Sequence, residues 1–208
     1  MPINSTTSLG VAITGASGSL YALRFLRRAT AHFEAIHLTV SGPALHVLEQ
    51  ETGLRMTLEG FDVSHLLPDL PAAERERIVY YPPRSYDSPL ASGSSGPDAL
   101  VIVPCSTGTL GRIAAGTSDS LVTRAAEVML KERRTLILVT RETPLSLIQL
   151  RNMTTVTEAG AIVMPASPGL YNRPQSVEEM VDFLVFRILD HLGVRDPEAK
   201  RWMTEPGA

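Results

Sequence analysis

At 208 residues and 44% apolar content the chain has enough for one packed core and too little for several domains. A net charge of −3, from 19 basic and 22 acidic residues, argues against broad nucleic-acid binding. There is no run of about 18 apolar residues to span a bilayer, and the opening Met1-Pro2-Ile3-Asn4 lacks the charged and apolar regions of a signal peptide.

Taken in chain order, the apolar run Val11–Thr14 stops at Gly15-Ala16-Ser17-Gly18 and passes into an amphipathic stretch, Leu20–Thr30. That order predicts strand, tight loop and helix, with unpaired amides at the helix start suited to a phosphate. The loop is neither a P-loop, since no Gly-Lys-Ser/Thr follows, nor a Gly-x-Gly-x-x-Gly dinucleotide turn. Further strands are expected at Ala35–Val40, Ala99–Pro104, Thr135–Thr140 and Ala161–Pro165. Helices are expected at Pro43–Glu51, Leu110–Ala115, Ser120–Glu132, Leu145–Ala159 and Val177–Leu192. Ser176 with Glu179 reads as a capping box for the last helix, and Gly193 as its stop. Gly60–Pro97 differs, being rich in Pro, Ser, Asp and Arg; only Ile78–Tyr81 looks like a strand, and the rest reads as a functional or disordered loop.

Alternating strands and helices imply a doubly wound parallel α/β sheet, with ligands beyond the carboxyl ends of the strands. Those ends are Gly15-Ala16-Ser17-Gly18, Ser41-Gly42-Pro43, Cys105-Ser106-Thr107-Gly108-Thr109, Arg141-Glu142-Thr143-Pro144 and Ala166-Ser167-Pro168-Gly169-Leu170-Tyr171. Five such turns on one edge point to a single cleft lined with hydroxyls and glycines.

The lone cysteine, Cys105, excludes an internal disulfide and makes a reducing cytoplasm the expected setting. The five scattered histidines, with no His-x-x-x-His or Cys-x-x-Cys spacing, give no reason to expect a metal. NAD is disfavoured because Ser41 stands where a ribose-binding acid belongs. ATP lacks its lysine and an acidic metal-binding pair. The loops suit one phosphate and a polar ring edge, as in FMN, with Arg141 a candidate to lie near the flavin. A second cationic set consists of Arg124 and Lys131, seven apart on one predicted helix face, and Arg187 in the last helix; Tyr171 adds a phenol. Glu142, beside Arg141, is a candidate to move a proton.

Six segments carry a family resemblance: Thr-Gly-Ala-Ser-Gly; Ala-Ser-Gly-Ser-Ser-Gly-Pro; Val-Pro-Cys-Ser-Thr-Gly-Thr-Leu; Thr-Arg-Ala-Ala-Glu-Val-Met-Leu-Lys-Glu-Arg-Arg; Val-Thr-Arg-Glu-Thr-Pro-Leu; and Pro-Gly-Leu-Tyr-Asn-Arg-Pro-Gln-Ser. In this order the chain resembles the UbiX-like flavin prenyltransferases. The resemblance implies a single flavodoxin-like or Rossmann-like three-layer α/β/α domain over residues 1–208, with a flexible stretch 1–8 and a tail 193–208 over the active site. It also implies a homododecamer. The reaction implied joins the dimethylallyl group of dimethylallyl phosphate to N5 and C6 of reduced FMN, and the prenylated FMN serves a UbiD-type decarboxylase.

Carried onto this chain, the resemblance implies FMN binding by Gly15, Ala16, Ser17, Ser41, Ser106, Thr107, Gly108, Thr109 and Arg141. It implies prenyl-phosphate binding by Ser92, Gly93, Arg124, Lys131, Glu142, Tyr171 and Arg187, some from a neighbouring subunit. Glu142 and Ser17 relay a proton, Glu51 lies near the reacting centre, and Trp202 covers the prenyl chain. The two anion sites would then face each other across the flavin, one of main-chain amides and one of cationic side chains. Asn172 departs from the histidine common after this tyrosine. Two alternatives stay open. An FMN-dependent cysteine decarboxylase would carry Pro-x-Met-Asn, which is missing; the corresponding turn runs Pro168–Pro174. A non-catalytic FMN carrier would not need Arg124, Lys131, Glu142, Tyr171 and Arg187 together.

Overall fold

The computed structural model describes residues 8–199. Six strands, β1 (Ser8–Ile13), β2 (Ala35–Val40), β3 (Ile78–Tyr81), β4 (Ala99–Cys105), β5 (Thr135–Thr140) and β6 (Ile162–Pro165), form one sheet in the order β3-β2-β1-β4-β5-β6. Every neighbouring pair is parallel. The order reverses between β1 and β4, the Rossmann-like switch point where two crossovers leave in opposite directions. β4 is buried along its whole length, which is why it reads as a continuous apolar run instead of an alternation.

Among the described residues, seven α-helices connect the strands, α1 (Ser19–Ala29), α2 (Gly42–Thr52), α3 (Val63–Leu66), α4 (Ala72–Arg75), α5 (Thr107–Ala114), α6 (Leu121–Lys131) and α7 (Leu147–Glu158), and α8 (Val177–His191) follows the last strand. Leu23 and Phe25 of α1, Leu48 of α2 and Val185 of α8 pack with Val11 and Leu38 on one face of the sheet. Leu110 of α5, Met129 of α6 and Val156 of α7 pack with Ala12 and Leu138 on the other. The result is the expected three-layer arrangement. A bidentate pair between Arg24 and Asp182 ties α1 to α8; Arg24 Nε donates to Asp182 Oδ1 at 2.7 Å.

Three expectations need correction. Ser8 belongs to β1 and pairs with Ala35, so the ordered core begins before the supposed flexible stretch ends. The 60–84 segment is a packed crossover, because Leu66, Leu67 and Leu70 insert into the core around two one-turn helices. At α8 only half of the capping box forms. Ser176 Oγ accepts from the Glu179 amide at 3.2 Å, but the Glu179 carboxylate takes the Gln175 amide instead of that of Ser176. Full boxes occur at Ser120/Thr123 and Ser146/Gln149. Gly193 does stop α8, with φ at 76°.

Candidate functional site

The cleft opens at the switch point, where the loops after β1 and β4 lie side by side. One hydroxyl fastens them. Thr14 Oγ1 donates to Pro104 O at 2.8 Å and accepts from the Ser106 amide at 2.7 Å, and the Thr14 amide also reaches Pro104 O at 3.2 Å. The loop after β2 closes the third side. The Ser41 amide donates to Ile13 O at 3.0 Å, and Ser41 Oγ caps α2 through the Ala44 amide at 3.3 Å. Gly15 has to be glycine here, since a Cβ would lie 2.5 Å from Pro43 Cβ. Ala16 is buried against this junction, while Ser17 is exposed at its mouth.

At the start of α5, Ser106 Oγ accepts from the Thr109 amide at 3.3 Å and lies 2.9 Å from Thr109 Oγ1. Among the described residues, the Thr107 and Gly108 amides make no hydrogen bond. The positive end of the α5 dipole is therefore open toward the cleft, beside three hydroxyls, as an anion needs. Cys105, next to it, is fully buried, and burial pushes its thiol up to about 12, which removes it as a nucleophile.

The α1 N-terminus is different, and here the sequence-based expectation fails. Its N-cap is Gly18 in the left-handed region (φ 118°), which offers no side-chain cap. The missing cap comes from α2. Glu51 takes the Gly18 amide at 3.0 Å and the Ser19 amide at 2.7 Å, so these amides already hold an anion from the chain itself. Burial pushes the Glu51 carboxyl up, but hydrogen bonds from Ser17, Ser19 and Gly18 outweigh it and hold the carboxyl below its ordinary value. The anion site open to a ligand is at α5, not α1.

Arg141, leaving β5, donates from Nε to Ser17 O at 3.1 Å and stands 4.0 Å from Glu142 Oε1. Glu142 in turn accepts from the Thr143 amide at 3.1 Å. Ser17, Glu51 and the adjacent pair Arg141 and Glu142, drawn from three stretches of sequence, thus form one connected edge of the cleft.

The cationic residues do not join them within one chain. Tyr171 and Arg187 line a common cavity of ≈ 440 Å³ on the α1/α8 layer, together with Phe183, Phe186 and Arg28. The Tyr171 ring meets Phe183 edge-on at 5.5 Å, and Arg187 Nη1 donates to Asp190 at 3.1 Å. Arg124 and Lys131 share a face of α6 as expected, but α6 packs on the opposite layer. Lys131 ends α6 just before β5 begins at Thr135, and Ser92 and Gly93 precede Ala99, the residue that pairs with Thr135. This group therefore lies at the amino-terminal rim of the sheet, while the FMN candidates lie at the carboxyl-terminal rim. Within one chain Ser92, Gly93, Arg124 and Lys131 thus lie apart from the strand-end cleft; the resemblance assigns some of the prenyl-phosphate residues to a neighbouring subunit. Trp202 lies outside the described residues.

A family model described as Flavoprotein matches residues 3–189. The flavin prenyltransferase UbiX of Pseudomonas aeruginosa is 43% identical over 192 residues, covering 92% of this chain and 92% of that protein. That of Thermoplasma acidophilum is 46% identical over 192 residues, covering 92% of this chain and 98% of the relative. The chain belongs to the UbiX flavin prenyltransferase family.

Solved structures agree with this membership. A UbiX crystal structure in complex with FMN and dimethylallyl pyrophosphate superposes with a TM-score of 0.82 at 35% identity, covering 97% of this chain and all (100%) of the other. A dodecameric FMN-dependent UbiX-like decarboxylase from Escherichia coli O157:H7 gives 0.79 at 37% identity, covering 94% and 99%. A PPC decarboxylase mutant, at 19% identity and a TM-score of 0.58, shares the fold alone. Within this UbiX framework, two residues escaped the sequence reading. Thr14 read as the last residue of a strand, and Arg134 stood only at the end of a segment that carries the resemblance; only tertiary hydrogen bonds reveal what they hold.

Proposed function

We propose that this chain transfers the dimethylallyl group of dimethylallyl phosphate to N5 and C6 of reduced FMN, releasing phosphate. The observation that carries this reading is the connected edge of Ser17, Glu51, Arg141 and Glu142 beside the open α5 amides, in a chain of the flavin prenyltransferase family. The cleft fits FMN. Thr107, Gly108 and the hydroxyls of Ser106 and Thr109 suit its phosphate, and the glycine at position 15 and the small side chains at Ala16 and Ser41 leave room for close approach.

Reduced FMN supplies electron-rich N5 and C6. This chain's residues do the rest. Arg124, Lys131, Tyr171 and Arg187 gather on the prenyl phosphate and stabilise its charge as the allylic C–O bond breaks. Holding the allylic carbon against N5 replaces a chance encounter in solution. Glu142, with the Ser17 hydroxyl, takes the proton displaced from N5; as the dimethylallyl double bond opens to bond C6, the released phosphate gives a proton to its other carbon and takes back the one that C6 loses. Ser92 and Gly93 border the phosphate.

Because the flavin loops and the Ser92, Gly93, Arg124 and Lys131 group sit on opposite rims, a complete site needs neighbouring copies, and we assign a homododecamer. Its contacts have apolar surface to use: Leu147 and Ile148 of α7 are exposed, at 61% and 71%. The product serves a UbiD-type decarboxylase in the cytoplasm; among the described residues no helix is long and apolar enough to cross a membrane.

The test is mass spectrometry after incubation with reduced FMN and dimethylallyl phosphate. A flavin heavier by one five-carbon unit is the expected result. Bound but unmodified FMN would favour a carrier, and oxidative decarboxylation of a cysteine-terminated peptide would favour the cysteine decarboxylase.

A further inference from the structure

The Ser92–Pro97 loop has little structure of its own. Ser92 Oγ lies 3.2 Å from Ser94 Oγ and accepts from the Ser95 amide at 3.4 Å, and no strand or helix runs through the segment. Yet its backbone is held from outside at three carbonyls, and at a fourth on Ala91, the residue just before it. Arg124 Nε donates to Ala91 O at 3.2 Å. Arg134 takes the other three: Nη2 donates to Gly93 O at 2.7 Å, and Nη1 to Gly96 O at 3.0 Å and Pro97 O at 3.2 Å. Only a forked, permanently charged guanidinium presents donors in two directions at once; an ammonium is a single point.

The placement of Arg134 is also fixed. The turn from α6 to β5 passes through Arg133 in the left-handed region (φ 57°) and closes with the Arg134 amide on Met129 O at 2.9 Å. Gly93 is pressed against the end of α6. A Cβ there would come within 2.8 Å of Lys131 Nζ and collide with the Glu132 carboxylate, which pairs with Lys131. The loop, the Lys131 ammonium and the Arg134 fork are therefore one packed unit.

We propose that Arg134 is a positioning residue for prenyl-phosphate binding: its guanidinium sets the Ser92–Gly96 backbone, so that loop hydroxyls and amides converge with Lys131 and Arg124 on one anion. The inference rests on the functional reading above and adds to it a residue that touches neither substrate. Loss of the fork leaves the cations in place but frees the loop they share. The cost then falls on dimethylallyl phosphate and not on FMN, whose loops lie at the other rim.

The experiment compares R134M, R134K and G96A with the wild-type protein by steady-state kinetics and FMN titration. For R134M we expect KM for dimethylallyl phosphate to rise about tenfold, with kcat at saturation changed less than about twofold and FMN affinity unchanged. R134K should recover part of the loss, since it restores charge without the fork. G96A keeps Arg134 but sets a Cβ in collision with Ser92 O, so the loop backbone must shift; it should raise the same KM and decides the matter if R134M does not assemble. Unchanged KM in both R134M and G96A beside an active wild type overturns the clamp, as does a parallel loss of FMN affinity. Absence of prenylated flavin from the wild-type protein overturns the functional reading instead.

Discussion

The Thr14 hydroxyl accepts the Ser106 amide proton at 2.7 Å, directly across the point where the strand order reverses. The same oxygen donates to Pro104 O, so its one proton is used and it has none to donate to a ligand. Thr14→Val keeps the shape, removes both bonds and leaves the buried Ser106 amide without its partner. We expect FMN to bind about tenfold more weakly, a cost of about 1–2 kcal/mol, with Thr14→Ser recovering most of the affinity. Fluorescence titration of FMN measures this; equal affinity in Thr14→Val would show that the loops hold themselves.

Glu51 gives a pH-dependent stability. Its carboxyl is depressed below the ordinary 4.5 in the folded chain, so its contribution is fully present above that value and is lost as pH falls through the lower folded value. Glu51→Gln should lower stability by about 1 kcal/mol near neutrality, after allowing for solvent at this site. The gap between the two proteins should close below about pH 4. Thermal melts from pH 3 to 7 follow it, and a gap that persists at the acid end contradicts the assignment.

Glu142→Gln separates binding from proton transfer. Among the described residues its carboxylate accepts one hydrogen bond, from the adjacent Thr143 amide, so little structure depends on it. FMN should bind normally while prenylation slows about a hundredfold, the usual range for loss of a general base. Equal turnover at saturating FMN would remove Glu142 from the scheme.

Arg187→Ala acts on the other substrate. The guanidinium borders the cavity shared with Tyr171 and is held by Asp190. We expect KM for dimethylallyl phosphate to rise by a factor of about 10–100 while FMN affinity stays within about twofold. Parallel losses of both would place Arg187 in general packing instead.

Much of this architecture was written locally. Six strands and six helices show in their apolar period, because each such signal is local. The α3 and α4 segments do not show, since four residues are too few for a period. The Ser17, Arg141 and Glu142 edge was legible because strand ends of a parallel sheet must share a rim. Glu51 was placed near that edge only by resemblance. Its capping of an α1 start 33 residues away leaves no local mark. Arg134 is harder still, because a guanidinium that binds backbone carbonyls has no required partner residue type. Nor does spacing say which layer a helix joins, and so the separation of Lys131 from Arg141 appears only in three dimensions.

In the homo-oligomer proposed above, that separation would make each subunit a lender as well as a user. A protein damaged at Glu142 still offers an intact Lys131 and Ser92 to its neighbour, and one damaged at Lys131 still offers intact flavin loops. Two such inactive preparations, unfolded together and reassembled, should regain part of the wild-type turnover, in proportion to the sites that draw both halves from undamaged copies. Reassembling each alone should regain none.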